Sequence, residues 1–94
     1  NMGSFQKTIK REKMNAKVYS TSNCTWCDRV VKNLTDSGIE VEKIDISGDK
    51  KLFKQMSEDV GKKVSTVPQV IVDDVYIGGY TETERFIKNL TVSS

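Results

Sequence analysis

From Ala16 to Ser20 the chain reads Ala16-Lys17-Val18-Tyr19-Ser20, an alternating run rich in β-formers, which predicts a strand. After Cys27 the apolar residues change to helical spacing, with Val30, Val31 and Leu34 on one side. Gly38 should end that helix, because glycine accepts the left-handed conformation common just past a last turn. Over residues 40–46, Val41, Lys43 and Asp45 alternate with Glu42, Ile44 and Ile46, predicting a second strand. Strand, helix and strand in this order predict a parallel pair with a right-handed crossover.

Ser47-Gly48-Asp49 then opens a second helix whose inner side carries Leu52, Phe53, Met56 and Val60, and Gly61-Lys62-Lys63 closes it. The single proline, Pro68, leads into the strand Gln69-Val70-Ile71-Val72. Asp73-Asp74 is a tight turn into Val75-Tyr76-Ile77, so this stretch reads as a hairpin. Gly78-Gly79 ends the last strand with unusual backbone freedom. Thr81 is the expected N-cap of a final helix, with Glu84 three residues on completing a capping box and Phe86, Ile87 and Leu90 facing inward. The order β-α-β-α-β-β-α predicts an α/β fold, a four-stranded mixed sheet with helices on both faces.

Ninety-four residues with 36% hydrophobic content suit one small core. The net charge of +2 is uneven: Lys7, Lys10, Arg11 and Lys13 against Glu12 leave +3 in residues 1–13. The remaining 11 basic and 12 acidic side chains give −1, which leaves no footprint for nucleic acid. Residues 1–13 contain no apolar stretch of signal-peptide length. They are expected to be a flexible, vector-encoded leader before a natural start at Met14, a genuine basic arm being the alternative; residues 14–94 are then the domain. No membrane span is expected.

The chemistry concentrates in Cys24-Thr25-Trp26-Cys27, which holds both cysteines of the chain. Cys24 falls where the first strand gives way to a helix, whose unpaired N–H groups and positive dipole end favour an anion. A thiolate is such an anion, and it is the form that attacks disulfides. Cys27, one turn on, can close a disulfide and release a mixed-disulfide partner. Two cysteines without a histidine fall short of the four ligands of structural zinc, and a bridge closing so short a loop adds little chain-entropy stabilisation. Redox use of the pair is the favoured reading, and cycling thiols place the chain in a reducing compartment, expected to be the cytoplasm.

Three separated motifs, Cys24-Thr25-Trp26-Cys27, Thr66-Val67-Pro68 and Gly78-Gly79-Tyr80-Thr81-Glu82, together resemble a dithiol glutaredoxin of the thioredoxin-like fold over about residues 15–91. The resemblance implies a glutathione-dependent thiol–disulfide oxidoreductase. Cys24 would be the nucleophile and Cys27 the resolving cysteine. Pro68 would be a cis-proline facing the thiols, and Val67 would offer its backbone to the cysteine of glutathione by β-type pairing. Thr25, Trp26, Thr66, Gly79, Tyr80, Thr81 and Glu82 would complete the glutathione site, the last four around the γ-glutamyl end. Trp26 would stand exposed beside the thiols as an apolar surface for substrates. The implied partners are glutathione and disulfide-bearing or glutathionylated proteins, ribonucleotide reductase among them, met by a monomer. A potential of about −200 to −230 mV is typical of such proteins.

The chain departs from the pattern in two places. Thr25 and Trp26 stand where many glutaredoxins have proline and tyrosine. Members lacking that proline more readily hold a [2Fe–2S] cluster between two subunits with glutathione as co-ligand; in that alternative Cys24 would be the metal ligand. A second alternative is a hydrogen donor for ribonucleotide reductase recharged by thioredoxin reductase, against which Gly78-Gly79-Tyr80-Thr81 argues. Ser20-Thr21-Ser22-Asn23 also lacks the lysine that many members use near the glycyl carboxylate, leaving Lys62 and Lys63 to compensate.

Overall fold

The computed structural model describes residues 14–93, so the leader expected over residues 1–13 lies outside it. The elements run β1 (Asn15–Ser20), α1 (Thr25–Asp36), β2 (Glu40–Asp45), α2 (Lys50–Val60), β3 (Gln69–Val72), β4 (Val75–Gly78) and α3 (Tyr80–Ser93). They form a four-stranded sheet in the order β2-β1-β3-β4. β1 and β2 are parallel, with Tyr19 opposite Ile44, while β1–β3 and β3–β4 are antiparallel. β1 and β4 therefore run the same way and β3 against them. The ends of β1 and β4 and the start of β3 meet at one end of the sheet.

Alternation along the central strands sorts the core into two layers. Ala16, Val18, Val70 and Val72 face α1 and α3, where they pack with Val30, Leu34 and Ile39. Tyr19 and Ile71 face the other way, against Met56 and Val60 of α2. Tyr19 is wholly buried, and its hydroxyl donates to Asp59 and accepts from Gln55 Nε2 at 3.0 Å, tying β1 to α2. Burial, and then Asp59, push the Tyr19 hydroxyl up to about 12. On the edge strand β2, Val41 and Ile44 are half-buried and the charged residues face water, which discourages pairing with another chain.

Local rules set the boundaries. α1 ends in a Schellman motif: Gly38 N–H donates to Thr35 O at 3.0 Å and Ile39 N–H to Leu34 O at 3.1 Å, with Gly38 at φ +83°. Asp49 caps α2 by accepting from Leu52 N–H at 3.0 Å, and Gly61 closes it at φ +87°. Asp73 and Asp74 both take positive φ, as the two centre residues of a type I′ hairpin turn must.

One inward assignment changes. Phe53 is 41% exposed, because α2 covers one face of the sheet with a narrow stripe of Leu52, Met56 and Val60. On α3, Phe86, Ile87 and Leu90 do face inward, half-buried where this helix packs on α1 and the sheet margin, and among the described residues of the helix the fully buried side chain is Thr83.

Candidate active site

Cys24 occupies the N-cap of α1 with extended backbone, and its Sγ accepts from Cys27 N–H at 3.1 Å. The two cysteines are joined by a disulfide across a Cα–Cα distance of 5.2 Å. Their environments differ: Cys24 is half-buried, whereas Cys27 is sealed inside. Sulfur thus does what a serine or aspartate oxygen does at most helix starts, accepting an otherwise unpaired N–H. A negative charge on Cys24 is favoured there by that N–H and by the dipole. Asp28, the acidic group of the first turn, is held by Lys43 Nζ at 2.9 Å. The loop before Cys24 is fixed from the side: Ser22 N–H and its hydroxyl each lie 2.9 Å from Ser47 Oγ. Ser47 N–H in turn donates to Asp45 at 2.8 Å, and the Ser47 hydroxyl, then this N–H, hold the Asp45 carboxyl below its ordinary range.

The other two motifs arrive at the same end of the sheet. The Val67–Pro68 peptide bond is cis, with Val67 half-buried and Pro68 buried. Gly79 lies against this turn, where an added Cβ would stand 3.5 Å from Pro68 O. Tyr80 reaches the cysteine segment, its ring 4.8 Å from that of Trp26 at a tilt of 58°. Trp26 is 52% exposed, and the Arg29 guanidinium sits 5.0 Å from its ring centre. Thr25, Thr66, Thr81 and Glu82 are also exposed. Lys62 Nζ lies 5.8 Å from the centre of the Tyr76 ring.

The start of α3 corrects one expectation. Thr81 is not its N-cap; the helix begins two residues earlier, with Gly79 O accepting from Thr83 N–H at 3.0 Å. Glu82 reaches back to Gly79 N–H at 3.0 Å, and Glu84 instead accepts from the Tyr80 hydroxyl at 3.3 Å. Gly79-x-x-Glu82 has the same spacing as Thr81-x-x-Glu84, and β4 ends at Gly78, so the earlier pair closes first. Its own N–H and that of Gly79 hold the Glu82 carboxyl below its ordinary range. Gly78 is doubly constrained, by φ +131° and by Glu82 Cβ and Cγ, each 2.8 Å from where a Cβ would lie.

The role of one residue of this region escaped the sequence reading. Gln69, buried at the start of β3, donates through Nε2 to Thr66 O at 2.9 Å and Thr66 Oγ1 at 3.1 Å, and accepts from the Tyr76 hydroxyl at 2.6 Å. The available signal was one amide heading the otherwise apolar run Gln69-Val70-Ile71-Val72. A cleft of about 410 Å³ is lined by Asn15, Glu40, Asp73 and neighbours, at the opposite end of the sheet from the cysteines. Among the described residues no three His, Cys, Asp or Glu side chains group as a metal site, and no helix is long and apolar enough to cross a membrane.

Comparison with known proteins agrees with this geometry. The glutaredoxin family model matches residues 16–77. Glutaredoxin 1 of Escherichia coli is 30% identical over 81 residues, covering 80% of this chain and 94% of that protein. A glutaredoxin of Haemophilus influenzae is 31% identical over 77 residues, covering 76% and 87%. Among solved structures, reduced E. coli glutaredoxin superposes with a TM-score of 0.68 at 26% identity, over 83% of this chain and 98% of that one. Glutaredoxin 1 from Francisella tularensis, complexed with cacodylate, gives 0.64 at 28% identity, over 84% and 98%. With a Cys-x-x-Cys pair at a helix start on a thioredoxin-like sheet, the chain belongs to the glutaredoxin family and is a thiol–disulfide oxidoreductase.

Proposed function

We propose that this oxidoreductase is glutathione-dependent and reduces protein disulfides and glutathione mixed disulfides, as a monomer in the cytoplasm. The observation that carries the reading is the asymmetry of the pair, a half-exposed Cys24 capping a helix and a sealed Cys27. In this scheme the Cys24 thiolate attacks one sulfur of a protein disulfide; the S–S bond breaks and the departing thiolate takes a proton. The Cys27 thiolate attacks Cys24 Sγ, closing the intramolecular disulfide and releasing the second protein thiol. A glutathione thiolate then attacks Cys24 Sγ and expels Cys27 as a thiolate, which is protonated. A second glutathione attacks the glutathione sulfur, giving oxidised glutathione and the Cys24 thiolate. Two electrons pass from two glutathiones to one protein disulfide.

The glutathione site of this proposal comprises Thr25, Trp26, Thr66, Val67, Pro68, Gly79, Tyr80, Thr81 and Glu82. Its support is the Gly79–Pro68 approach and the Trp26–Tyr80 contact, which draw the three motifs together. In this reading Glu82, whose carboxyl is held below its ordinary range, would stand beside the γ-glutamyl end, and the half-buried Val67 would offer its backbone to an extended tripeptide. The test is a mixed-disulfide reduction assay coupled to NADPH, run with glutathione and glutathione reductase and then with thioredoxin reductase alone. Turnover with the glutathione system is expected; turnover with thioredoxin reductase alone would overturn glutathione dependence. An anaerobic preparation with glutathione that is colourless in the visible range is expected from the enzyme, and a brown glutathione-dependent dimer from the cluster-binding alternative.

A further inference from the structure

The direction of three hydrogen bonds behind the cis-proline turn is fixed by chemistry. Thr66 O is a carbonyl oxygen and only accepts, so the atom of Gln69 facing it at 2.9 Å is the NH2 group. The Gln69 carbonyl therefore faces Tyr76, and the Tyr76 hydroxyl at 2.6 Å must donate. The second N–H of Gln69 points to Thr66 Oγ1 at 3.1 Å, which accepts. Each N–H and the carbonyl of this buried amide are then engaged, and the Thr66 hydroxyl proton is left to point away from Gln69. Thr66 is exposed and precedes Val67, so its O–H, which has no acceptor on Gln69, is open to one outside this network. Bonds in such a chain polarise one another, each strengthening the next donor by about 10–30%.

We propose that Gln69 and Tyr76 are positioning residues for glutathione, acting through Thr66, whose hydroxyl they orient as a donor to an acceptor oxygen of the bound tripeptide. The inference rests on the glutathione reading above. It makes Thr66 a directed contact and the exposed end of a relay that starts at Tyr76. The same two bonds hold the carbonyl and side chain of Thr66, fixing the approach to Val67 and Pro68 from behind.

The test is the coupled glutathione assay on Thr66→Val, Thr66→Ser, Tyr76→Phe, Gln69→Leu and the double variant Thr66→Val/Gln69→Leu, with thermal unfolding in parallel. Loss of one neutral hydrogen bond corresponds to about a three- to tenfold rise in KM for glutathione in Thr66→Val and Gln69→Leu, with kcat changed less than about twofold. Thr66→Ser keeps the donor and should restore the parent KM. Tyr76→Phe should give a smaller rise of the same kind, and the double variant should match Thr66→Val alone. A parent KM in Thr66→Val, or multiplying effects in the double variant, would overturn the inference even if Gln69→Leu unfolds at lower temperature. Should the parent protein itself fail to turn over with glutathione, the functional reading fails first and the variants are not needed to show it.

Discussion

Two helices begin at the same end of the sheet, α1 after β1 and α3 after β4, and their first turns touch through Trp26 and Tyr80. Each has a backbone N–H answered by a side chain in its first turn: Cys27 N–H by Cys24 Sγ, and Gly79 N–H by the Glu82 carboxylate. The difference lies in what the acceptor can become. In the proposed mechanism Cys24 supplies the reactive atom, alternating between disulfide and thiolate, so the pull of the helix start acts on the chemistry. Glu82 keeps its charge down to acid pH, so the second helix start has a fixed acceptor and provides a scaffold. Of these two helix starts, the one that acts on the chemistry is the one whose cap changes charge in the proposed reaction.

The sharpest way to break this comparison is to swap the sulfur for oxygen. Serine is a good N-cap, so Cys24→Ser should keep the fold within about 0.5 kcal/mol and abolish all exchange. Cys27→Ser should lose protein-disulfide reduction and spare deglutathionylation; the two variants assayed on both substrates check this. Loss of both activities in Cys27→Ser would remove the asymmetry on which the mechanism stands.

Next in size is Gly78→Ala, which sets a Cβ against Glu82 on backbone that alanine rarely adopts. A loss of about 2–3 kcal/mol in urea unfolding is expected, with the start of α3 displaced. Thr83→Val works in the opposite direction. The Thr83 hydroxyl is buried without a hydrogen-bond partner among the described residues, so a near-isosteric valine should stabilise by about 1 kcal/mol, read as a higher Tm.

The smallest effect sharpens the comparison by pH. The folded-state pKa of Glu82 is depressed, so its contribution is fully present above the unfolded value and is lost as pH falls through the lower folded one. Tm of the parent should therefore drop between about pH 5 and 3 by slightly more than that of Glu82→Gln, which lacks this titration. At pH 7 Glu82→Gln should cost about 0.5 kcal/mol, since the group is exposed and water screens it.

Much of this molecule was legible in one dimension. The alternation around Val18, the apolar strand run around Val70, the Gly38 and Gly61 stops and the Asp73-Asp74 turn follow from residue pattern and backbone sterics, which act over a few neighbours. Phe53 was misplaced because helical spacing says which residues share a stripe, while its width depends on what the helix covers. The cap of α3 was misplaced because Gly79-x-x-Glu82 and Thr81-x-x-Glu84 are equivalent locally. Where β4 stops decides between them. Gln69 read as one more strand residue, since its partners Thr66 and Tyr76 meet it only after the turn and hairpin have closed.

The sequence by itself determined the order of the elements, the sites of their turns and the placing of two cysteines at a helix start. Each of these rests on the chemistry of adjacent residues. Only the tertiary structure decided that Cys27 is sealed while Cys24 is not, that Tyr80 meets Trp26, and that the Gln69 amide donates to the Thr66 hydroxyl oxygen. Those outcomes depend on segments brought together by the crossing of β1, β3 and β4, and burial and hydrogen-bond direction exist only once those segments meet.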